Sequence, residues 1–243
     1  MSTSRIESDD DIIRIGTSHI GGLFRRRGVS VALRTDAVLF LDGDPADGLY
    51  EVRRGVVRCF TVAEDGRKHI FSFACQGALI GLGTSGIWHS TAEAVSDVTL
   101  RHLPRSVFTA AMQNNPVLAE WRSRMVDAMI RRRELQLLTM ASRTAEARLL
   151  VFLQEFAEIA GPDLKRGGDA TALPMSRRDI ADHLGISFET VSRAFSALKR
   201  RGTIELIGPG VFRLRRATAE ALSGGSIFRL PRFENQGVAY SLP

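Results

Sequence analysis

The chain has 243 residues, of which 44% are hydrophobic and 25% are charged. This length exceeds a single minimal domain, and the composition is that of a globular protein with a sizeable core. Lys and Arg exceed Asp and Glu by 33 − 27 = 6, and residues 175–216 alone hold nine basic and four acidic residues, an excess of 9 − 4 = 5. A basic excess concentrated in this way is what a nucleic-acid-binding surface requires.

Cysteine usage and hydropathy indicate the compartment. Cys59 and Cys75 lie in separate apolar runs, so a disulfide framework is not expected, and both are interpreted as packing residues rather than redox sensors. No signal peptide is recognised and no apolar run is long enough to span a bilayer. We therefore expect a soluble, cytoplasmic protein without a membrane partner.

The first 28 residues are polar and mixed, and their one apolar patch, Ile20–Phe24, is interrupted by Gly21 and Gly22. No element is predicted there. From Val29 onward, short apolar runs alternate with turn signals, a pattern typical of an antiparallel β-sandwich or barrel. The predicted strands are 37–41, 49–52, 56–62, 69–75 and a pair within 93–103, followed by a helix that starts at Pro104–Ser106.

A long helix follows, with Asn114 or Asn115 as its cap and Pro116 in its first turn. Steps of three and four place apolar residues on one stripe that is interrupted by a single arginine. We interpret the stripe as the seam of a homodimer, because a long helix between two domains has little surface of its own chain to cover. The alternative is a helix packed on its own barrel. The predicted interface residues are Leu118, Trp121, Met125, Ala128, Arg132 and Leu135.

After a new cap at Ser142–Thr144, a second helix is predicted over Ala145–Ile159, and residues 161–172 are interpreted as a solvent-exposed loop. A short helix is predicted over Ala217–Leu222. The tail after Ser226 shows no clear period. The expected domains are 1–28 N-terminal segment, 29–114 β-roll, 115–141 dimerisation helix, 142–224 DNA-binding domain and 225–243 tail.

Residues 175–214 carry the strongest functional signal. Ser176 and Asp179 form a candidate capping box, Gly185 suits the sharp end of a short helix, and Ser187 caps the next helix. In that second helix Val191, Phe195 and Leu198 face inward, so the opposite, polar face is free. Strands at 203–207 and 211–214, joined by Gly208-Pro209-Gly210, form a wing. The pattern predicts a winged helix-turn-helix that reads double-stranded DNA in the major groove.

Three motifs make the chain similar to the Crp/Fnr superfamily of bacterial transcription regulators. Gly43–Gly55 resembles the signature turn and strand of the cyclic-nucleotide-binding-type β-roll, Gly77–Gly81 resembles that fold's next turn, and Arg177–Gly202 resembles the family's helix-turn-helix. The likeness covers nearly the whole chain and is nearest to the Fnr/FixK-type branch. It implies an α+β fold: an N-terminal cyclic-nucleotide-binding-like β-roll, a long dimerisation helix and a C-terminal winged helix-turn-helix.

The same resemblance bears on cofactors. Cyclic-AMP-binding members carry a glutamate and an arginine–serine pair where this chain has Leu82 and approximately Ser90-Thr91, so the cyclic phosphate would lose its counter-charge. Iron–sulfur members need about four thiolates, and residues 1–28 contain no cysteine. We therefore expect no cofactor and no metal. A haem-binding member and a member that needs an unidentified small effector stay open as alternatives, although the histidines have no metal-site spacing: His19, His69, His89 and His102.

The resemblance implies Glu189, Ser192 and Arg193 as base-reading residues, with Phe188 where cyclic-AMP-type relatives have an arginine. The chemistry agrees, because Arg193 can donate two hydrogen bonds to guanine and Glu189 can accept one from cytosine. The implied half-site is TTGAT, repeated as an inverted ATCAA after four base pairs. Phosphate contacts set register rather than sequence, and those we expect are Arg177, Ser187, Thr190, Lys199, Arg200 and Arg213.

Other classes of function fit less well. No nucleophile–base pair or metal spacing indicates an enzyme, and the glycine-rich turns lack a phosphate-loop lysine. A DNA-free ligand-binding module leaves the recognition helix unexplained, and a non-specific architectural DNA binder predicts salt-sensitive binding without base preference. We expect a transcription regulator, interpreted as an activator, that contacts RNA polymerase as its relatives do.

Overall fold

The computed structural model describes residues 9–142, 144–215 and 240–241. The helix expected at 217–222 and most of the tail lie outside these residues. The helices are α1 (Asp9–Arg27), α2 (Arg105–Gln113), α3 (Pro116–Ser142), α4 (Ala145–Ile159), α5 (Arg177–Leu184) and α6 (Phe188–Arg200). The strands are β1 (Val29–Leu33), β2 (Val38–Phe40), β3 (Gly48–Arg54), β4 (Val57–Val62), β5 (Lys68–Ala74), β6 (Leu79–Ile80), β7 (Thr91–Ala94), β8 (Val98–Pro104), β9 (Lys165–Arg166), β10 (Ala170–Ala172), β11 (Ile204–Gly208), β12 (Val211–Leu214) and β13 (Tyr240–Ser241).

The N-terminal half is a β-roll built from two sheets, with strand orders β1-β8-β3-β6-β13 and β2-β7-β4-β5. All pairs are antiparallel except β6 with β13, in which Tyr240 pairs with Leu79. The space between the sheets is filled by aromatic and aliphatic side chains, among them Phe40, Tyr50 and Trp88. Alternation of buried and partly buried residues, as in β8, explains why the sequence predicted most of these strands.

Residues 9–27 form a 19-residue helix, which corrects the expectation that this segment has no element. Helix α1 packs on α3 and forms a separate core that contains Ile20, Phe24, Leu118 and Trp121. Three glycines, Gly16, Gly21 and Gly22, lower its intrinsic helix propensity, so its stability comes from contacts with residues about one hundred positions away. The local sequence holds no signal for such contacts.

The C-terminal half consists of α4, α5 and α6 with a four-stranded sheet of order β11-β12-β10-β9. Strands β9 and β10 form a hairpin inside residues 161–172, which corrects their interpretation as a solvent loop. The hairpin extends the wing because Thr171 of β10 pairs with Phe212 of β12. Thr144 caps α4 by accepting a hydrogen bond from the Ala147 amide, as predicted.

A third hydrophobic cluster contains residues of both halves. Side chains of β4 and β5, including Phe60, Ile70 and Phe73, belong to the same buried cluster as Phe152 of α4 and Leu184 of α5. The helix-turn-helix is therefore packed directly against one sheet of the β-roll.

Candidate DNA-binding surface

Local hydrogen bonds build the two helices of the helix-turn-helix. The Ser176 hydroxyl accepts from the Asp179 amide at 3.0 Å, and the Asp179 carboxylate accepts from the Ser176 amide at 2.9 Å. Gly185 ends α5 with φ of +63°, a left-handed conformation that glycine adopts without strain. The Ser187 hydroxyl then accepts from the Thr190 amide and starts α6. The predicted capping box, turn and second cap are all present.

Helix α6 buries one face and exposes the other. Val191, Phe195 and Leu198 are buried beneath it. Phe188, Glu189 and Arg193 are exposed on the opposite side, and Ser192 is partly exposed. The four residues predicted to read bases therefore share the outward side of the helix, where a major groove can reach them.

Charge and hydrogen bonding set the donor and acceptor groups that this face of α6 exposes. The backbone amide of Glu189 and the Ser187 hydroxyl hold the pKa of the Glu189 carboxyl below its usual range. An ionised carboxylate only accepts hydrogen bonds, which suits a cytosine amino group. The Arg193 guanidinium donates to the Thr190 hydroxyl at 3.2 Å through one of its nitrogen atoms, and a guanidinium has five N–H donors in all.

The expected phosphate contacts divide into two groups. Lys199 and Arg200 are exposed in the last turn of α6, and Ser187 and Thr190 lie at its start, next to the amide groups that attract anions. Arg177 is different, because its guanidinium lies 3.2 Å from the centre of the buried Phe195 ring. Burial lowers the pKa of Arg177, and this side chain supports α6 from below.

Arg213 is also held within the protein. Its Nε donates to the Gly168 carbonyl at 2.6 Å, and Nη1 donates to the Glu205 carboxylate at 3.2 Å. The β9–β10 hairpin thus fixes the direction of a wing arginine, a role that the sequence analysis missed. The Gly167-Gly168-Asp169 turn, in which Gly168 and Asp169 have positive φ, was the available signal for a tight hairpin.

The expected dimer seam on α3 requires a correction. Leu118, Trp121 and Met125 are fully buried by α1 and the β-roll of the same chain, so they are not free to meet a partner. Ala128 and Leu135 are partly buried, and Arg132 lies 3.4 Å from Glu155 of α4. The large apolar residues that α3 exposes are instead Ile130, Leu137 and Leu138.

Two buried positions that bear on nucleotide binding are uncharged. Leu82, where cyclic-AMP-type relatives have glutamate, is fully buried, and Ser90 is buried as well. The Phe40 and Trp88 rings stack with their centres 3.8 Å apart. These positions provide apolar packing and hydroxyl groups, which do not supply the counter-charge that a cyclic phosphate needs.

The predicted packing role of the two cysteines agrees with their burial, and burial raises the pKa of the Cys75 thiol to about 12. The His19 ring contacts Asn115, and the His89 ring contacts Ser85. Among residues 9–142, 144–215 and 240–241, no three acidic, histidine or cysteine side chains are grouped as metal ligands. Within the same residues no helix has the length and hydropathy needed to cross a membrane.

Comparison with known proteins agrees with this architecture. Residues 30–115 match the family model of the cyclic nucleotide-binding domain, and residues 147–219 match the Crp-like helix-turn-helix domain. The nitrogen fixation regulation protein FixK of Bradyrhizobium diazoefficiens is 32% identical over 200 residues, which cover 82% of this chain and 84% of that protein. The FixK protein of Azorhizobium caulinodans is 36% identical, over 73% of this chain and 74% of that protein.

A further relative is the transcriptional activatory protein AadR of Rhodopseudomonas palustris, which is 31% identical over 77% of this chain and 78% of that protein. Among solved structures, FixK2 from Bradyrhizobium japonicum aligns with a TM-score of 0.75 and 32% identity, covering 81% of this chain and 98% of that one. On the strength of its two domains, its fold and these relatives, the chain belongs to the Crp/Fnr family of DNA-binding transcription regulators and is of the FixK type.

Proposed function

We propose that this protein is a homodimeric transcription activator that binds an inverted repeat of the form TTGAT-N4-ATCAA and needs no cyclic AMP or iron–sulfur cluster. The observation that carries the proposal is the outward face of α6, where Glu189, Ser192 and Arg193 lie together above a buried apolar face. An acceptor, a short hydroxyl and a bidentate donor are the groups that read a mixed half-site.

The homodimer is proposed from α3. Ile130, Leu137 and Leu138 are exposed, and steps of seven and eight residues place them on one side of the helix. Pairing this side with a second copy would bury it and would present two recognition helices to the two half-sites of a palindrome. The seam lies on the same helix as first expected, but on another side of it.

Independence from cyclic AMP is proposed from Leu82 and Ser90, which carry no charge at the positions that relatives use for the nucleotide. Activation is proposed by analogy with the AadR relative, whose name describes an activator. We extend the proposal to contact with RNA polymerase, to a cytoplasmic location and to the division at residues 29–114, 115–141 and 142–224.

Selection from a random pool of duplexes with the purified full-length protein, without an added effector, tests this proposal. The selected duplexes should contain TTGAT and its inverted copy separated by four base pairs. A pool without an enriched inverted repeat contradicts the proposal. If enrichment appears only after addition of haem or a cell extract of small molecules, the effector-dependent alternative replaces it.

A further inference from the structure

Arg58 of β4 connects the β-roll to the first helix of the helix-turn-helix. Its guanidinium lies 3.2 Å from the Asp179 carboxylate of α5, and it is also bonded to Glu93 at 2.7 Å and Asp36 at 3.2 Å. The side chains of Arg58, Glu93 and Asp179 are 13, 15 and 14% exposed. This is a mostly buried ion-pair network between the two halves of the molecule.

Asp179 serves two structures at once. One carboxylate oxygen completes the capping box with Ser176, and the other accepts the hydrogen bond from Arg58. The first turn of α5 is therefore held by the β-roll and by its own cap together. The contact with Ser176 fixes this helix end relative to its own cap, and the contact with Arg58 fixes it relative to the β-roll.

The other end of α5 is anchored as well. Nδ1 of His183 lies 3.0 Å from the Ile70 carbonyl oxygen, and the His183 ring packs against both Phe73 of β5 and Phe152 of α4. Asp179 and His183 are four residues apart, so both anchors lie on one face of α5, separated by roughly 6 Å along its axis. Two such anchors fix the direction of α5 as well as its position.

The direction of α5 determines the direction of α6. Only Gly185, Ile186 and Ser187 separate the two helices, and both pack on one apolar core. A third contact between the two halves joins the turn after β3 to the segment after α4, where the Gly55 amide donates to the Asp163 carboxylate at 2.8 Å. The recognition helix is thus oriented by the β-roll through α5.

Orientation matters most for a dimer on a palindrome. Adding one base pair between half-sites moves the second site by about 3.4 Å and rotates it by roughly 34°. A rigidly held recognition helix can satisfy one spacing only, whereas a loosely held helix adapts to several. Building on the proposed function, we infer that Arg58 is a positioning residue that sets which half-site spacing the dimer accepts.

The experiment compares full-length wild type, Arg58→Gln and Arg34→Gln. Arg34 is a matched control, because it is a β-roll arginine whose ion-pair partner, Asp97, is exposed and does not belong to the Arg58 network. Binding is measured on duplexes with spacers of three, four and five base pairs and on a duplex with a single half-site. The single half-site reports whether the recognition helix is intact without reference to spacing.

Wild type and Arg34→Gln should prefer the four-base-pair spacer by about tenfold or more, the penalty typical of one lost base contact. Arg58→Gln should keep its single-half-site affinity, while its spacing preference falls to within about threefold. An unchanged spacing preference in Arg58→Gln, even with a lower melting temperature, overturns the inference and leaves Arg58 with a role in stability alone.

Arg58→Lys is a second variant, which is measured on the same duplexes if Arg58→Gln no longer binds the single half-site. Lys keeps the charge but cannot span the three carboxylates with a planar fork. Its spacing preference should lie between those of wild type and a loosely docked protein, and a wild-type preference overturns the inference. Failure of wild type to bind any of these duplexes overturns the proposed function itself, which separates the two results.

Discussion

The indole nitrogen of Trp121 in α3 donates a hydrogen bond of 3.2 Å to the Thr17 hydroxyl of α1. This pair joins the N-terminal helix to the long helix, and it turns the side of α3 that carries Trp121 toward its own chain. The neighbouring residue, Gly16, lies so close to Trp121 that a methyl group on it would be 2.3 Å from the Trp121 Cβ.

Two glycine substitutions in α1 should therefore have opposite effects. Gly16→Ala should lower the free energy of unfolding by about 1–3 kcal/mol, because the methyl group collides with the Trp121 side chain. Gly21→Ala should raise it by about 0.5–1 kcal/mol, since the nearest atom to its methyl group is the end of the Arg25 side chain at 3.6 Å. Thermal unfolding of both variants measures the two changes in stability, and a Gly16→Ala protein at least as stable as wild type would show that α1 does not pack closely on Trp121.

The dimer seam should lie at Leu137, which is 66% exposed. Leu137→Glu should convert the protein to a monomer, because a dimer would have to bury the new carboxylate. Sedimentation equilibrium measures the change. Val29→Glu is the control, since Val29 is 62% exposed and belongs to β1 rather than to α3, and this variant should remain dimeric. A dimeric Leu137→Glu protein would exclude this seam.

Base reading and phosphate contact can be separated with two variants of α6. Arg193→Ala should cost about 1–3 kcal/mol per half-site and relax specificity at one position. Lys199→Ala should weaken binding equally on all sequences and reduce the salt slope by about one. Competition assays with single-base variants of the half-site distinguish them. An Arg193→Ala protein with unchanged base preference would contradict the assignment of Arg193.

His183 should make stability fall at acidic pH. Burial lowers the pKa of His183 to about 4 from the ordinary value of 6.5, so the unfolded chain binds a proton that the folded chain does not. Stability is then full above pH 6.5 and declines by at most about 3 kcal/mol as the pH falls to 4.

Denaturant unfolding between pH 7 and pH 4.5 measures this decline. His183→Gln should flatten the pH dependence, whereas His69→Gln, which changes an exposed histidine of β5, should keep the wild-type slope. Equal slopes in all three proteins would show that His183 is not the group responsible.

The helix-turn-helix could be predicted from the sequence residue by residue, because its signals are local. Ser176, Asp179, Gly185 and Ser187 act on backbone groups within four positions, so their spacing alone specifies caps and turn. The strands of the β-roll were predictable for a similar reason, since alternating burial appears directly in the sequence.

Two predictions were wrong because they depend on contacts between distant parts of the chain: the absence of an element in residues 9–27, and the side of α3 that forms the dimer seam. An apolar stripe on α3 predicts that another element packs on it. The sequence alone does not distinguish α1 of the same chain from α3 of a second copy. Residues 9–27 contain three glycines that weaken the helical signal, and contacts with Trp121 and the rest of the core between α1 and α3 compensate for it. Arg58 and Asp179 are 121 positions apart in the sequence. A local sequence pattern cannot predict a contact between residues so far apart.

The most direct test of the central claim is equilibrium binding of purified full-length protein to a TTGAT-N4-ATCAA duplex and to a scrambled duplex of equal composition. It is done at physiological salt without any effector. We expect a preference of about a thousandfold or more for the palindrome, with one dimer per duplex. Equal and weak binding to both duplexes would contradict sequence-specific recognition by the face of α6 that carries Glu189, Ser192 and Arg193.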